Sequence, residues 1–368
     1  MRCTLWVAGI LSALLVSPPN ISVLRAHQAQ LPAPEAWAAL DRGEPDKAAA
    51  LFREELERSP DNAALLYGAG YAAFTLGRTD AAISFLKHSV DCNPRFVQAM
   101  VLLSQVAYQT ADLDLAVSTL EKAATIAPRD RRIAQQLDQW HREAAVHNRL
   151  DTNTTARFNV LYEGATHKAI GDQVTSILES AYWRIGKTMN TYPSQTLNVI
   201  LYTNRQFQDI TRAPAWAGGG YDGRIRLPVG GALRSPKELE RVVTHEFVHA
   251  VVHNAAGEGV PTWINEGLAS YLESTNRMWA SDVLRRAGNR IPLEYLADGF
   301  GRFDGDTALV AYAESLVAGQ LLCERAGQNL GPFLQLLGSG HTVDQALSTV
   351  NVQPEPFYAE WRRRIGMK

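Results

Sequence analysis

The sequence is poor in cysteine, which limits its covalent and metal chemistry. Three cysteines occur in 368 residues, namely Cys3, Cys92 and Cys323. Cys3 precedes an apolar run at the N-terminus, so it is not placed like a lipid-modified cysteine. The other two fall in different predicted domains, so we expect no disulfide between them. Two scattered cysteines also exclude a disulfide framework and a Cys-type zinc site.

The sequence also lacks an excess of one charge and any long apolar run. Lys and Arg number 36 against 38 Asp and Glu, a formal net charge of −2 that argues against a general nucleic-acid binder. No apolar run has the length of a stable membrane-spanning helix. With 27 Gly and 17 Pro the chain is not collagen-like or linker-rich, and its 46% hydrophobic residues are typical of a folded protein.

The first 28 residues have the features of a signal peptide. Arg2 provides a positive start, residues 5–16 form a short apolar run, and Pro18 and Pro19 interrupt it. This order is the secretory pattern. We therefore expect export to a bacterial periplasm or secretion; the alternative is an N-terminal segment that stays uncleaved as an anchor.

Residues 29–130 contain an internal repeat with a period of 34 residues. Four columns recur in register over three copies: Gly43, Gly77 and Ala111; Ala48, Ala82 and Ala116; Phe52, Leu86 and Leu120; Pro60, Pro94 and Pro128. The period and residue types resemble the tetratricopeptide repeat, a pair of helices. The Gly and Ala columns are predicted to let two helices approach closely, and each proline follows and stops the second helix.

These repeats predict an α-solenoid domain over residues 29–150. Each helix pair buries its apolar face only by stacking on the next pair, and residues 129–150 are predicted to form a capping helix. The groove of such a stack often binds peptides or partner proteins. The alternative is a spacer, or a docking surface for the second domain.

A polar segment, residues 151–155, is interpreted as a linker, so the second domain is predicted over 151–368. Its first part reads as an α/β unit, with strands over 157–163, 197–202 and 224–229 and a helix over 168–190. Ser235 and Glu238 predict a capping box for a further helix, with Pro236 at its first position. Helices follow from Trp263 onward. The predicted fold class is therefore an α-rich two-domain protein, an N-terminal α-solenoid followed by an α+β domain.

The chemistry is concentrated in the helix that begins near Ser235. His245, Glu246 and His249 form an H-E-x-x-H motif. Two histidines four residues apart lie roughly 40° apart on a helix, so both imidazoles can reach one ion while Glu246 can reach a water on that ion. The alternative is a pair of ordinary helix histidines, but apolar residues surround the motif, and buried His and Glu side chains need partners. His253 lies on the same stripe but too far along the axis, so we expect it to be a surface or packing histidine.

A catalytic zinc site requires a third protein ligand. The position six residues after His249, which is His in metzincins, is Ala255 here. Glu266 is the better candidate. It lies at the start of a new helix that follows a turn, and this helix can return antiparallel to the first one. Gly267 and Ala269 are predicted to leave room for these two helices to come together.

With residues 263–271 (W-I-N-E-G-L-A-S-Y), the H-E-x-x-H motif resembles the gluzincin metallopeptidases, and the second block resembles the third-ligand helix of aminopeptidase N-like enzymes. With its repeats and signal peptide, the chain resembles bacterial proteins with a peptidase MA-like domain. The resemblance implies one zinc ion per chain, with His245, His249 and Glu266 as ligands and Glu246 as general base. It also implies an edge strand that holds the substrate backbone.

Two departures from the resemblance matter. The G-A-M-E-N signature of aminopeptidases is absent, since residues 216–221 read W-A-G-G-G-Y, so nothing marks a site for a substrate amino terminus. Thermolysin-like enzymes have an Asp four residues after the third ligand, where this chain has Ser270, so a carboxylate that steadies a ligand histidine must come from elsewhere or be missing. The strand over 224–229 is predicted to pair with extended substrates, which favours an endopeptidase.

The predicted function is therefore a zinc-dependent peptidase with a repeat domain that binds substrate or a partner. Tyr312 is the candidate donor to the oxyanion, with Tyr271 and Tyr221 as rivals, and the alternative role for Tyr312 is a core tyrosine. Two other classes stay open: a tetratricopeptide scaffold with a non-catalytic zinc site, and a zinc hydrolase acting on a non-protein substrate.

Overall fold

The computed structural model describes residues 32–110, 112–211, 219–229, 235–257, 259–273 and 277–367. The predicted signal peptide, residues 1–28, lies outside this part. The chain divides into two compact units, of which the first ends at Asn148 and the second continues from Arg149. No helix among the described residues is both long and apolar enough to cross a membrane.

The first unit is a series of helical hairpins, as the repeat predicts. Its described helices are α1 Pro34–Asp41, α2 Pro45–Arg58, α3 Ala63–Thr75, α4 Thr79–Cys92, α5 Val97–Gln109, α6 Leu113–Ile126 and α7 Arg131–His147. The bounds of α4 and α6 follow those of α2 in steps of 34 residues, so the helices keep the period of the sequence. α7 packs on α6 as the predicted capping helix. The predicted α-solenoid is confirmed.

The repeat columns have separate structural roles, one of which differs from the prediction. Ala48 and Ala82 are fully buried, as is Phe52, so these columns do form the hairpin interior. Gly43 and Gly77 instead lie in the turns between helices, with φ of 72° and 68°, and a Cβ at either position would meet nothing within 4 Å. The glycine column therefore serves left-handed turns and not close helix approach.

The second unit begins with a five-stranded sheet. Its strands are β1 Asp151–Thr154, β2 Phe158–Tyr162, β3 Leu197–Tyr202, β4 Gly220–Tyr221 and β5 Ile225–Pro228, in the order β1-β2-β3-β5-β4. The central strands β2, β3 and β5 are parallel, whereas β1 and β4 pair antiparallel at the two edges. Alternate side chains of β2 enter the core, as the alternating pattern predicts.

Two predictions about this region are wrong. Residues 151–154 are not a linker but the edge strand β1, whose polar side chains are tolerated because most of them remain exposed. The strand predicted over 224–229 is not at an edge, because β5 lies between β3 and β4. Strand order depends on contacts between distant segments, and local alternation carries no information about it.

The rest of the second unit is helical. Its described α-helices are α8 Gly164–Met189, α9 Asn204–Thr211, α10 Pro236–Ala256, α11 Thr262–Leu272, α12 Met278–Arg286, α13 Gly305–Ala326, α14 Leu330–Gly338, α15 Val343–Thr349 and α16 Pro354–Ile365. One apolar core extends from the sheet through α8 and α10 to α16. The predicted α+β class of this domain is confirmed.

The start of α10 follows the prediction only in part. Ser235 is the N-cap residue and Pro236 occupies the first turn, as expected, but the Ser235 side chain makes no capping hydrogen bond. Glu238 instead forms an ion pair with Arg241 at 2.6 Å. The capping box is therefore absent, because an arginine one turn later binds the carboxylate that would have closed it.

Candidate metal centre

Helix α10 places its histidines and glutamate in its most deeply buried stretch. Every residue from position 242 to 252 is buried, so this helix passes through the core rather than along its surface. His245 and Glu246 are each 2% exposed and His249 is 7% exposed. The two imidazole rings lie 4.7 Å apart between centroids with their planes at 84°, and each ring offers one nitrogen to the same group of metal-ligating atoms.

Helix α11 brings Glu266 to the same point. This carboxylate is fully buried, with Oε2 3.6 Å from His245 Nε2 and Oε1 3.3 Å from His249 Nε2. Tetrahedral zinc with N and O ligands at about 2.0–2.2 Å separates its ligand atoms by roughly 3.4 Å. The structure therefore brings the three predicted ligands together, and each histidine lies close to the separation from Glu266 that one zinc ion requires.

The polar atoms that face this point have no other partner. His245 Nε2 and both carboxylate oxygens of Glu266 are buried and make no hydrogen bond with the described residues. A buried carboxylate without partners is strongly disfavoured, and a bound cation removes that penalty. The donor set of two imidazoles and one carboxylate is typical of catalytic zinc sites, which keep a fourth position open. The residues present fit a zinc ion.

A second layer of hydrogen bonds orients the two histidines. His245 Nδ1 lies 2.8 Å from Glu273 Oε2, and the same oxygen accepts a 2.8 Å hydrogen bond from Arg241. His249 Nδ1 lies 2.9 Å from Asn265 Oδ1. Each bond fixes a ring so that its Nε2 faces Glu266.

Glu273 thus supplies the carboxylate that Ser270, four residues after Glu266, does not provide. It lies seven residues after Glu266, two helical turns along, and that spacing was the signal available in the sequence. Although burial lowers the pKa of His245, the nearby carboxylates of Glu266 and Glu273 raise it to about 10. The pair of carboxylates therefore favours a positive charge at this centre.

Glu246 lies beside the three grouped side chains and against the edge of the sheet. Burial raises the pKa of Glu246 to about 8, and the charges of Glu266 and Glu273 add to this rise. A Cβ at Gly219 would stand 2.9 Å from Glu246 Oε1, so the backbone just before β4 lies directly over this carboxyl group. Gly219 leaves that approach open, since any side chain there would contact the carboxyl.

The tyrosines proposed from the sequence have different surroundings. Tyr312 is 5% exposed and its ring lies 5.1 Å, edge-on, from Phe300, as a core residue does. Tyr221 lies on β4 with its ring 5.6 Å from His253, so His253 is a packing residue and is not in the metal group. Tyr271 has an arginine side chain 4.0 Å over its ring. The oxyanion role of Tyr312 stays a prediction.

Gly267 is predicted to leave room between α10 and α11, but the residues close to it belong to α13. A Cβ at Gly267 would stand 2.2 Å from the carbonyl oxygen of Ser315, and a Cβ at Gly319 would stand 2.3 Å from Gly267. These small residues therefore allow close packing of α11 on α13, not of α11 on α10. This contact fixes the depth at which α11 presents Glu266.

Comparison with known proteins agrees with both halves of the fold. Residues 34–94 and 97–130 each match the tetratricopeptide repeat. No curated protein matches the chain. A solved structure described as "Crystal structure of MamA protein" is similar at 20% identity, covering 35% of this chain and 69% of that chain with a TM-score of 0.30. A TM-score this low carries no information about the function of this chain.

The second unit matches a peptidase family over most of its length. The match to the Peptidase MA superfamily spans residues 179–365, more than half of the chain, and includes α10, α11 and α13. These are the helices that carry and support the grouped His, His and Glu side chains. By this match, the chain belongs to the Peptidase MA superfamily and carries tetratricopeptide repeats before its peptidase-like domain.

Proposed function

We propose that this chain is a zinc-dependent peptidase of the gluzincin type. The observation that carries the proposal is the group of three buried donors, in which the carboxylate oxygens of Glu266 lie 3.6 Å from His245 Nε2 and 3.3 Å from His249 Nε2. Glu246 beside them supports catalysis over a structural role, because a purely structural metal site has no use for a base. A zinc ion bound there would acidify a water ligand and polarise a substrate carbonyl.

The roles of the chain's own residues follow from their positions. Glu246 accepts the proton of the attacking water and passes it to the leaving amine, a role suited to a carboxyl whose pKa burial has raised. Glu273 and Asn265 keep the ligand histidines in one orientation. Tyr312 is the proposed donor to the oxyanion.

The edge strand β4 is the proposed platform for the substrate backbone, in place of β5. β4 is the last strand in the order of the sheet, and Gly219, which directly precedes β4, lies against the carboxyl group of Glu246 on α10. An extended peptide that pairs with such an edge is held by its backbone, and this pairing does not depend on a free terminus. We therefore propose cleavage of internal peptide bonds.

Metal analysis and a peptide-library assay test the proposal together. Purified protein should hold about one zinc per chain, and His249→Ala should lose it. Glu246→Gln should keep zinc and fold but lose about 10²–10⁴-fold in kcat. Glu240→Gln, a change of an exposed glutamate on the same helix, is the matched control and should stay active. Zinc without cleavage of any peptide by the wild type would favour the scaffold alternative.

The cleavage preference has its own test. Peptides with acetylated N-termini should be cleaved at least as well as free ones, and longer peptides better than dipeptides. Rapid turnover of free dipeptides without cleavage of blocked longer peptides would overturn the endopeptidase proposal. The residue Glu258, a sequence-based candidate for binding a substrate amine, lies outside the described residues. Glu273, the other candidate, is engaged by His245 and Arg241.

We further propose that the tetratricopeptide unit binds substrate or a protein partner and that the chain is exported. A chain that starts at Arg149 should cleave short peptides as the full chain does but lose efficiency on long substrates. If the shortened chain cleaves long substrates as efficiently as the full chain does, the repeats do not take part in substrate binding. Export is tested by fractionating cells that express the full sequence, with N-terminal sequencing of the mature protein.

A further inference from the structure

A second group of metal-binding side chains lies on the surface of the repeat unit. Asp61, His88 and Cys92 each offer one donor atom, and these atoms all lie within 4.8 Å of one another. His88 Nε2 is 2.9 Å from Asp61 Oδ1. His88 and Cys92 are four residues apart on α4, so their side chains leave the helix on the same side. This group is separate from the buried centre and contains one thiol, so it is not a zinc site built from several cysteines, the type that the sequence excludes.

Hydrogen bonds of neighbouring residues fix the backbone positions of the three residues. Ser89, fully buried between His88 and Cys92, donates a 2.7 Å hydrogen bond from Oγ to the carbonyl oxygen of Ala63 in the first turn of α3. Asn62 caps α3 by accepting from two backbone N–H groups. Asp61 directly precedes this cap. The end of α4 and the loop before α3 are therefore fixed to each other while the three side chains remain accessible.

We propose that Asp61, His88 and Cys92 bind a divalent transition-metal ion of the zinc class. A thiolate, an imidazole and a carboxylate are three of the ligand types that zinc uses, and a fourth position would hold water. The ion would replace the proton of the hydrogen bond between His88 Nε2 and Asp61 Oδ1. These two atoms lie 2.9 Å apart and would move to roughly 3.4 Å, the distance between two ligand atoms of tetrahedral zinc. Exposed side chains make this adjustment by small rotations.

The charges around the group favour a cation. The carboxylates of Asp61 and Asp91 place negative charge beside the Cys92 side chain. A cation bound by the three donor atoms is attracted by both carboxylates, and it binds the thiolate form of the cysteine. Thiolate and imidazole ligands favour zinc-class ions over Mg²⁺ and Ca²⁺, which prefer oxygen.

Cobalt titration of the full chain tests the proposal independently of peptidase activity. The protein is first saturated with zinc, kept reduced with a phosphine, and treated with a weak chelator that strips the exposed site but not the buried centre. It is then desalted, and Co²⁺ is added. A thiolate-to-cobalt absorption band should rise to a plateau at one equivalent, and excess Zn²⁺ but not Mg²⁺ should remove it. Cys92→Ser should abolish the band, whereas the matched control Cys323→Ser should keep it.

Two further variants assign the remaining donors. His88→Ala and Asp61→Ala should each weaken cobalt binding at least about tenfold, and circular dichroism should stay unchanged because both side chains are exposed. His249→Ala, in the buried centre, should leave the band intact. No band in the wild type, a band that survives Cys92→Ser, or affinities unchanged by His88→Ala would each overturn the proposal.

Discussion

Replacement of Glu273 is the sharpest test of how the buried centre is organised. A His245 that presents Nε2 to a zinc ion carries its proton on Nδ1, and that proton is donated to Glu273 Oε2 over 2.8 Å. Both side chains are buried, with His245 2% and Glu273 8% exposed, so water does not readily replace the lost acceptor. Loss of the carboxylate frees the ring to rotate and lowers its basicity.

The expected magnitude follows from the two parts of this contact. Loss of a partner behind a ligand histidine typically weakens metal affinity by about 10–100-fold, which corresponds to about 1.4–2.7 kcal/mol. Glu273→Gln keeps an acceptor oxygen but removes the charge, so we expect the lower end of this range. Glu273→Ala also leaves Nδ1 without a partner, so we expect the upper end.

Competition with a chelator measures these affinities, and Glu238→Gln is the matched control. Glu238 binds the same Arg241 side chain as Glu273 does, and it precedes the ligand His245 by seven residues. Its loss should leave the zinc affinity close to that of the wild type. A folded Glu273→Ala variant with wild-type zinc affinity would refute the positioning role of this carboxylate.

Further predictions concern packing, titration, the oxyanion donor and the domain boundary. Gly267→Ala should lower the free energy of unfolding by about 1–3 kcal/mol in urea titrations, because its Cβ would collide with a backbone carbonyl; an unchanged midpoint would contradict that contact. Burial raises the pKa of Glu314 to about 7, so the native state holds this proton more tightly than the unfolded chain. Stability should therefore fall as pH rises from about 4.5 to about 7, and Glu314→Gln should flatten the profile; an equally steep profile in the variant would refute this assignment. Tyr312→Phe should reduce kcat with zinc content unchanged, whereas wild-type kcat would make Tyr312 a core residue only. A chain that starts at Arg149 should fold and bind zinc, and one that starts at Thr155 should melt at a lower temperature because it lacks β1.

Features set by local spacing could be predicted from the sequence. The 34-residue period predicts the hairpins because each repeat contacts chiefly its neighbours, and the observed helices keep that period. His245 and His249 face one point because four residues nearly complete a helical turn. Glu266 could be predicted because the connection between α10 and α11 is short, which leaves few ways for the second helix to return.

Features set by distant contacts could be found only in the tertiary structure. The sequence places Glu273 seven residues after Glu266 but not against His245, and it places Cys92 near His88 but not near Asp61. The strand order shows that β4, and not β5, forms the edge of the sheet. The contact with α13 explains why position 267 requires a glycine. The helix or strand to which a residue belongs fixes the direction of its side chain relative to the few residues that precede and follow it. Which side chain it meets across the fold depends on how whole elements pack, and the pattern of one segment does not contain that information.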